Sequence, residues 1–165
     1  TKKTAIFTLT ERVALNTTNT PLTATIDLGS YVDVGDRQAL QIHSVDYIFQ
    51  GATADQTLGQ AFGTSASEVQ VQVTDLNRSA LISSARLLWA GTHADKEADL
   101  YPDNFGKGSE DGRYVVNDTL YVVGEVSGLS GSGACNVTVR VNASIVTLSA
   151  KDFMAIAIQS TAADN

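Results

Sequence analysis

The sequence predicts an all-β protein, an antiparallel eight-stranded jelly-roll sandwich with long surface loops. Three observations lead to that class. Apolar and polar side chains alternate with a period of two along most of the chain, the signature of half-buried strands rather than helices. The residues are rich in Thr, Val, Ala, Ser and Gly, with only 2 Pro, which favours strands over helices. No alternation of strands with helical segments marks a parallel βαβ fold.

The organising stretch is Asn136 to Leu148, where Val137, Val139, Val141, Ala143 and Ile145 oppose Asn136, Thr138, Arg140, Asn142 and Ser144. At about 3.3 Å per residue it spans roughly 43 Å, long enough for the wall of a sandwich. Near Val146 and Leu148 the apolar parity changes, which predicts a bulge or burial on both sides.

From the start, Thr4 to Leu15 is a first strand, closed by a polar cluster and Pro21. Leu22 to Leu28 is a second, broken at Gly29 before Tyr31 to Val34. Gly35 and Asp36 turn the chain into Arg37 to Gln50, whose inward parity switches near His43 and Ser44 and so demands one bulge residue. Residues 51–67 form a long loop. Glu68 to Leu76 is a clean short strand, followed by a short helical turn and a strand over Arg86 to Ala90 carrying Trp89. Residues 91–112 hold six acids and three glycines before their last, and predict an exposed loop. Tyr114 to Val126 resumes strand character, residues 124–134 form a Gly/Ser loop, and Phe153 to Ile158 alternates as a last strand. Ser149 and Asp152 offer the competing reading of that end, a helix opened by a capping box. The 165 residues fit a single β-sandwich domain, residues 1–165.

Charge narrows the function classes. Eighteen acidic against eleven basic residues give a formal charge of −7, which disfavours direct contact with nucleic acid or anionic lipid. No apolar run reaches the length of a membrane span, and the opening residues have no hydrophobic signal region, so the chain as given reads as soluble and without a secretion signal. The lone Cys135 predicts a buried structural thiol rather than a disulfide framework.

Chemistry is sparse. His43 and His93 are the only histidines and lie on different segments. Asp46 lies three positions after His43, so in a regular strand they leave opposite faces, and His43 predicts a structural hydrogen bonder. No nucleophile elbow, metalloprotease helix, paired-cysteine motif or phosphate-binding loop occurs, and the chain reads as a non-enzyme with no cofactor. The one ligand candidate is calcium at Asp95, Glu97, Asp99 and Asp103, hard oxygens at close spacing. The EF-hand pattern then fails, because Leu100 stands where glycine is needed and Gly106 where the bidentate acid is needed. A solvated acidic loop is the competing reading. Five of the eight asparagines, Asn16, Asn77, Asn117, Asn136 and Asn142, begin N-x-S/T sequons, which Thr- and Ser-rich strand faces also generate by composition.

The run from Ile26 to Gln50, the later YVVNDTLYVVGE and the strand from Asn136 to Leu148 resemble, in rhythm over the full length, the viral single jelly-roll capsid (coat) proteins, especially those of double-stranded DNA viruses whose barrels stand upright on the shell. The resemblance implies a self-assembling structural subunit of a virion, built in the host cytoplasm, whose partners are copies of itself in a lattice, other capsid proteins or an internal membrane. It carries over no functional residue. Only Lys2 and Lys3 stand where genome-condensing coat proteins carry a basic arm, so no direct nucleic-acid binding is expected. A second expectation is an extracellular carbohydrate- or ligand-binding sandwich, with Tyr101, Phe105 and Tyr114 as exposed aromatics and calcium in the acidic loop.

Overall fold

A computed structural model describes residues 3–15, 20–33, 35–51, 67–75, 80–90, 94–101, 113–127 and 135–163, with the backbone alone at residues 80, 94–101 and 159–163. Among the described residues nine strands and one helix follow one another: β1 (Phe7–Leu15), β2 (Leu22–Asp27), β3 (Gln38–Gly51), β4 (Ser67–Asp75), β5 (Ala80–Trp89), β6 (Ala94–Tyr101), β7 (Arg113–Val115), β8 (Thr119–Ser127), β9 (Cys135–Thr147) and α1 (Ala150–Ala163).

The strands form two antiparallel sheets, ordered β1-β9-β3-β7 and β2-β8-β4-β5-β6. Removing β6 leaves two four-stranded sheets in which β1 lies beside β9 and β2 beside β8. That winding, in which the chain crosses between sheets and the first strands flank the last, is the jelly roll. The eight-stranded jelly roll expected from the alternation is therefore present, with a ninth strand added at one edge.

The core lies between the sheets. Leu15, Leu40, Ile42, Ile82, Leu87 and Leu120 are all fully buried there, with the valines of β4 and the inward row Cys135, Val137, Val139 and Val141 of β9. β9 is central because it pairs with β1 along one side and β3 along the other. The predicted bulge in β3 is found between Ile42 and Ser44, leaving His43 as the extra residue and restoring the inward parity at Val45. The predicted turn before β3 is closed by the Asp33–Gln38 bridge, with Arg37 in the left-handed region at φ 55.

Four expectations are corrected. The C-terminal segment is not a strand but α1. Its alternation of large and small apolar residues also satisfies helical spacing, and Phe153, Ile156 and Ala157 pack on Ala39, Val116 and Val146, the outer face of the four-stranded sheet. Ser149 opens the helix: its Oγ accepts from the Asp152 amide at 3.1 Å and its carbonyl from the Phe153 amide at 2.9 Å. The parity change at Val146 has the same cause, since Val146 faces outward but lies under the helix.

The short helical turn before Trp89 is also absent, because β5 runs unbroken from Ala80 and absorbs its irregular apolar spacing in a bulge opposite Val73 and Thr74. The expected single strand Tyr114 to Val126 is two, β7 and β8, one in each sheet; the bend at Asn117 and Asp118 between them is fixed where the Leu28 amide donates to the Asp118 carbonyl at 2.7 Å. Part of the acidic 91–112 loop is β6, paired with β5. Alternating acids imitate a solvated loop in sequence, yet charge is also what a sheet edge carries to resist pairing with other chains.

Candidate functional site

The described residues present three surfaces: the two outer sheet faces and the region where the chain's ends meet.

The outer face of the four-stranded sheet divides in two. At the Gln38/Thr147 end α1 covers it, and beneath that end Gln41, His43 and Ser144 are buried, with His43 only 4% exposed. His43 Nε2 lies 2.8 Å from Ser144 Oγ, so the histidine is a structural hydrogen bonder, as expected. Its relation to Asp46 is corrected. The bulge residue breaks the period-two rule and places both side chains on the outer face, yet Asp46 is engaged elsewhere.

Beyond the helix, this face carries a polar ladder, with Ala14 and Ile48 at its far end. Asn142 lies at its centre: its Oδ1 accepts from Thr8 Oγ1 at 2.8 Å, and its Nδ2 donates to Ser44 Oγ at 2.8 Å and Asp46 Oδ2 at 3.2 Å. One and two rows further on, Arg140 and Arg12 are exposed. Three sequon asparagines are thereby placed. Asn142 is tied into the ladder, Asn136 is buried, and Asn117 Nδ2 donates to buried Asp75 Oδ1 at 2.8 Å. The amide nitrogen that glycosylation would need is committed at Asn142 and Asn117 and enclosed at Asn136. Asn16 and Asn77 lie outside the described residues.

The outer face of the five-stranded sheet holds a shallow groove of about 260 Å³, bordered by Pro21, Gln70, Gln72, Ser84 and Glu125, and a smaller recess of about 100 Å³ between Glu68, Gln70, Glu125 and Ser127. Gln70 Nε2 donates to Glu68 Oε1 at 2.7 Å, and Arg86 lies 3.7 Å from the same carboxylate. Glu125 makes no ion pair with another described residue. Such a lining can hold polar or cationic groups; it contains no base–nucleophile pair.

At the third surface, the N-terminal segment runs beside the end of β9, where the Lys3 amide donates to the Ile145 carbonyl at 2.8 Å and Thr4 Oγ1 accepts from the Ile145 amide at 2.9 Å. Among the described residues the exposed large apolar side chains are Ile6, Met154 and Ile158, all on the two terminal segments.

The calcium candidates are only partly located. Asp95, Glu97 and Asp99 fall on β6, with Glu97 in register with Leu87, Asp99 with Ala85, and Asp95 the extra residue between Ala94 and Lys96; Asp103 lies outside the described residues. Among the described residues no three His, Cys, Asp or Glu side chains gather as a metal site. His93 and Phe105 also lie outside them. Tyr114, expected to be exposed, is half-buried and packs with Val116 and Phe153. Cys135 is fully buried in the core, and desolvation pushes its thiol up to about 12, against the smaller opposing effect of a backbone hydrogen bond at Gln50. The charged rows on the two sheet faces were missed in sequence, because no period reveals which strands become neighbours.

No protein-family model matches the sequence, and no curated protein matches it. Among solved structures, the chain is similar to VP1 capsid proteins of polyomaviruses. One is VP1 of Trichodysplasia spinulosa-associated polyomavirus in complex with sialylated precision glycooligomers, at 10% identity and TM-score 0.40, covering 89% of this chain and 98% of that one. VP1 of the same virus in complex with 3'-sialyllactose gives 11% identity and TM-score 0.41, covering 90% and 98%. VP1 of Merkel cell polyomavirus in complex with GD1a oligosaccharide gives 8% identity and TM-score 0.38, covering 89% and 97%. These three are viral coat proteins. At these values the assignment of the jelly roll rests on the strand order itself.

Proposed function

We propose that this chain is a structural subunit of a viral capsid or a similar ordered protein shell, without catalytic activity, which self-assembles through its loops and terminal segments. One observation carries the reading: the long-stranded jelly roll buries one apolar core between its sheets, while among the described residues the exposed large apolar side chains lie on the terminal segments. A wall of this kind is rigid, because both sheets are pinned to one close-packed core. Apolar groups at its ends are available for contacts between subunits, and many weak contacts close a shell cooperatively.

The charge of −7 supports a position in which this chain meets other subunits or another shell protein rather than the packaged genome. The corresponding location is the virion, assembled in the host cytoplasm. Sedimentation velocity and negative-stain electron microscopy across protein and salt concentration test the reading. Regular rings, sheets or shells are expected; a species that stays monomeric under all conditions overturns it. Retention of a nucleic-acid oligomer at low salt would overturn the part concerning the genome.

A further inference from the structure

Each outer sheet face carries one like-charged pair, basic on one sheet and acidic on the other, in similar arrangements. On the four-stranded sheet, Arg12 of β1 is in register with Thr138, and Arg140 of β9 with Thr10, so the two arginines are diagonal neighbours on adjacent strands. On the five-stranded sheet, Glu68 of β4 is in register with Ser127, and Glu125 of β8 with Gln70, so the two glutamates are also diagonal neighbours. Each pair is separated by two residues of register on adjacent antiparallel strands, a backbone spacing on the order of 7–8 Å.

Neither row is fully neutralised by the described side chains around it. Arg12, Arg140 and Glu125 are exposed and form no ion pair with another described residue. Asp46, across from Arg140, instead accepts from Asn142, and Arg86 offsets only one of the two glutamates. On the basic face the two arginines stand against Asp46; on the acidic face the two glutamates stand against Arg86, with Lys96 of β6 at the sheet edge, in register with Leu88 in the row of Glu68. α1 packs at the Ala39/Val146 end of the basic face.

We infer that a second copy of this chain docks here, its Arg12/Arg140 face against the Glu68/Glu125 face of the first. This rests on the assembly proposed above. A polyanion is a poorer partner for the arginines, because the subunit's net charge of −7 repels it, whereas a second copy presents the complementary pair at the same spacing. The contact is heterologous: a docked pair keeps one basic and one acidic face free, so the interaction propagates into a ring or an open array instead of ending at a dimer.

Charge reversal tests this, with assembly followed by sedimentation velocity and electron microscopy, and folding by circular dichroism. Arg12→Glu with Arg140→Glu, or Glu68→Lys with Glu125→Lys, is expected to raise the concentration needed for assembly about tenfold or more, since like charges then face each other. Combining all four reversals re-creates the complementarity and is expected to restore assembly to near the parent concentration. Should a double reversal fail to fold, Arg140→Gln and Glu125→Gln give the same direction with a smaller effect, and added salt weakens the parent's assembly. Reversed variants that assemble like an assembling parent overturn this contact alone; a fourfold variant no better than the double reversals does the same. A parent that never assembles overturns both this contact and the proposed function.

Discussion

Replacing Gly124 with alanine tests how tightly the two sheets are fitted together. Gly124 lies in β8 between Leu22 and Val71, and a Cβ built on it would meet Leu15 Cδ2 at 3.0 Å, Leu15 Cδ1 at 3.4 Å and the Gln70 carbonyl at 3.7 Å. No left-handed backbone requires the glycine, so space is what is being tested. Leu15 is fully buried and can yield only by pressing on its neighbours. Overpacking a core costs about 1–3 kcal/mol, while reduced freedom of the unfolded chain returns about 0.4–1 kcal/mol. A net loss of about 1–2 kcal/mol follows, or a fall in Tm of roughly 2–8 °C for a chain of this size. Urea and thermal unfolding followed by circular dichroism measure it. Leu15→Val opens a cavity by itself, but combined with Gly124→Ala it is expected to cost less than the two changes added, because the new methyl fills the vacated space. An alanine variant as stable as the parent, or strictly additive changes, would refute the close fit of β1 against β8.

Two further outcomes are expected. Phe153→Ala removes the main anchor of α1 from its pocket on the outer sheet face and should cost about 3 kcal/mol, with the helix lost before the sheets; hydrogen exchange at Phe153 to Ile158 that stays as slow as in the parent would contradict it. Cys135, with its thiol raised to about 12 and fully buried, should react with a thiol reagent at about pH 8 only at the rate at which the protein unfolds. Its stability contribution has a definite sign: the folded state holds the thiol protonated, so stability falls as pH rises past the ordinary thiol range, where the unfolded chain gains charge and the folded chain does not.

How much of this protein was legible before folding follows from the period of its side chains. Strict alternation located β1, β2, β3, β4 and β9, because a strand with one dry face leaves no other pattern, and the parity switch at His43 predicted a bulge for the same reason. The ends of the chain were less clear. From Phe153 to Ile158 nearly every residue is apolar, so strand and helix spacing are both satisfied; the outward apolar surface of Val146 and Ala39, supplied from distant parts of the sequence, favours the helix. The acids of β6 mark an edge strand only once β5 stands beside them with an open side.

The candidate site was hardly legible at all. Glu68 and Glu125 are fifty-seven positions apart and Arg12 and Arg140 one hundred and twenty-eight apart, and nothing local couples either pair. The sequence by itself determined which side chains of each strand face inward, because burial follows parity within a single strand. Which strands lie side by side, and hence where charges gather on an outer face, was decided only by the tertiary structure, because register between strands is set by contacts spanning the whole chain.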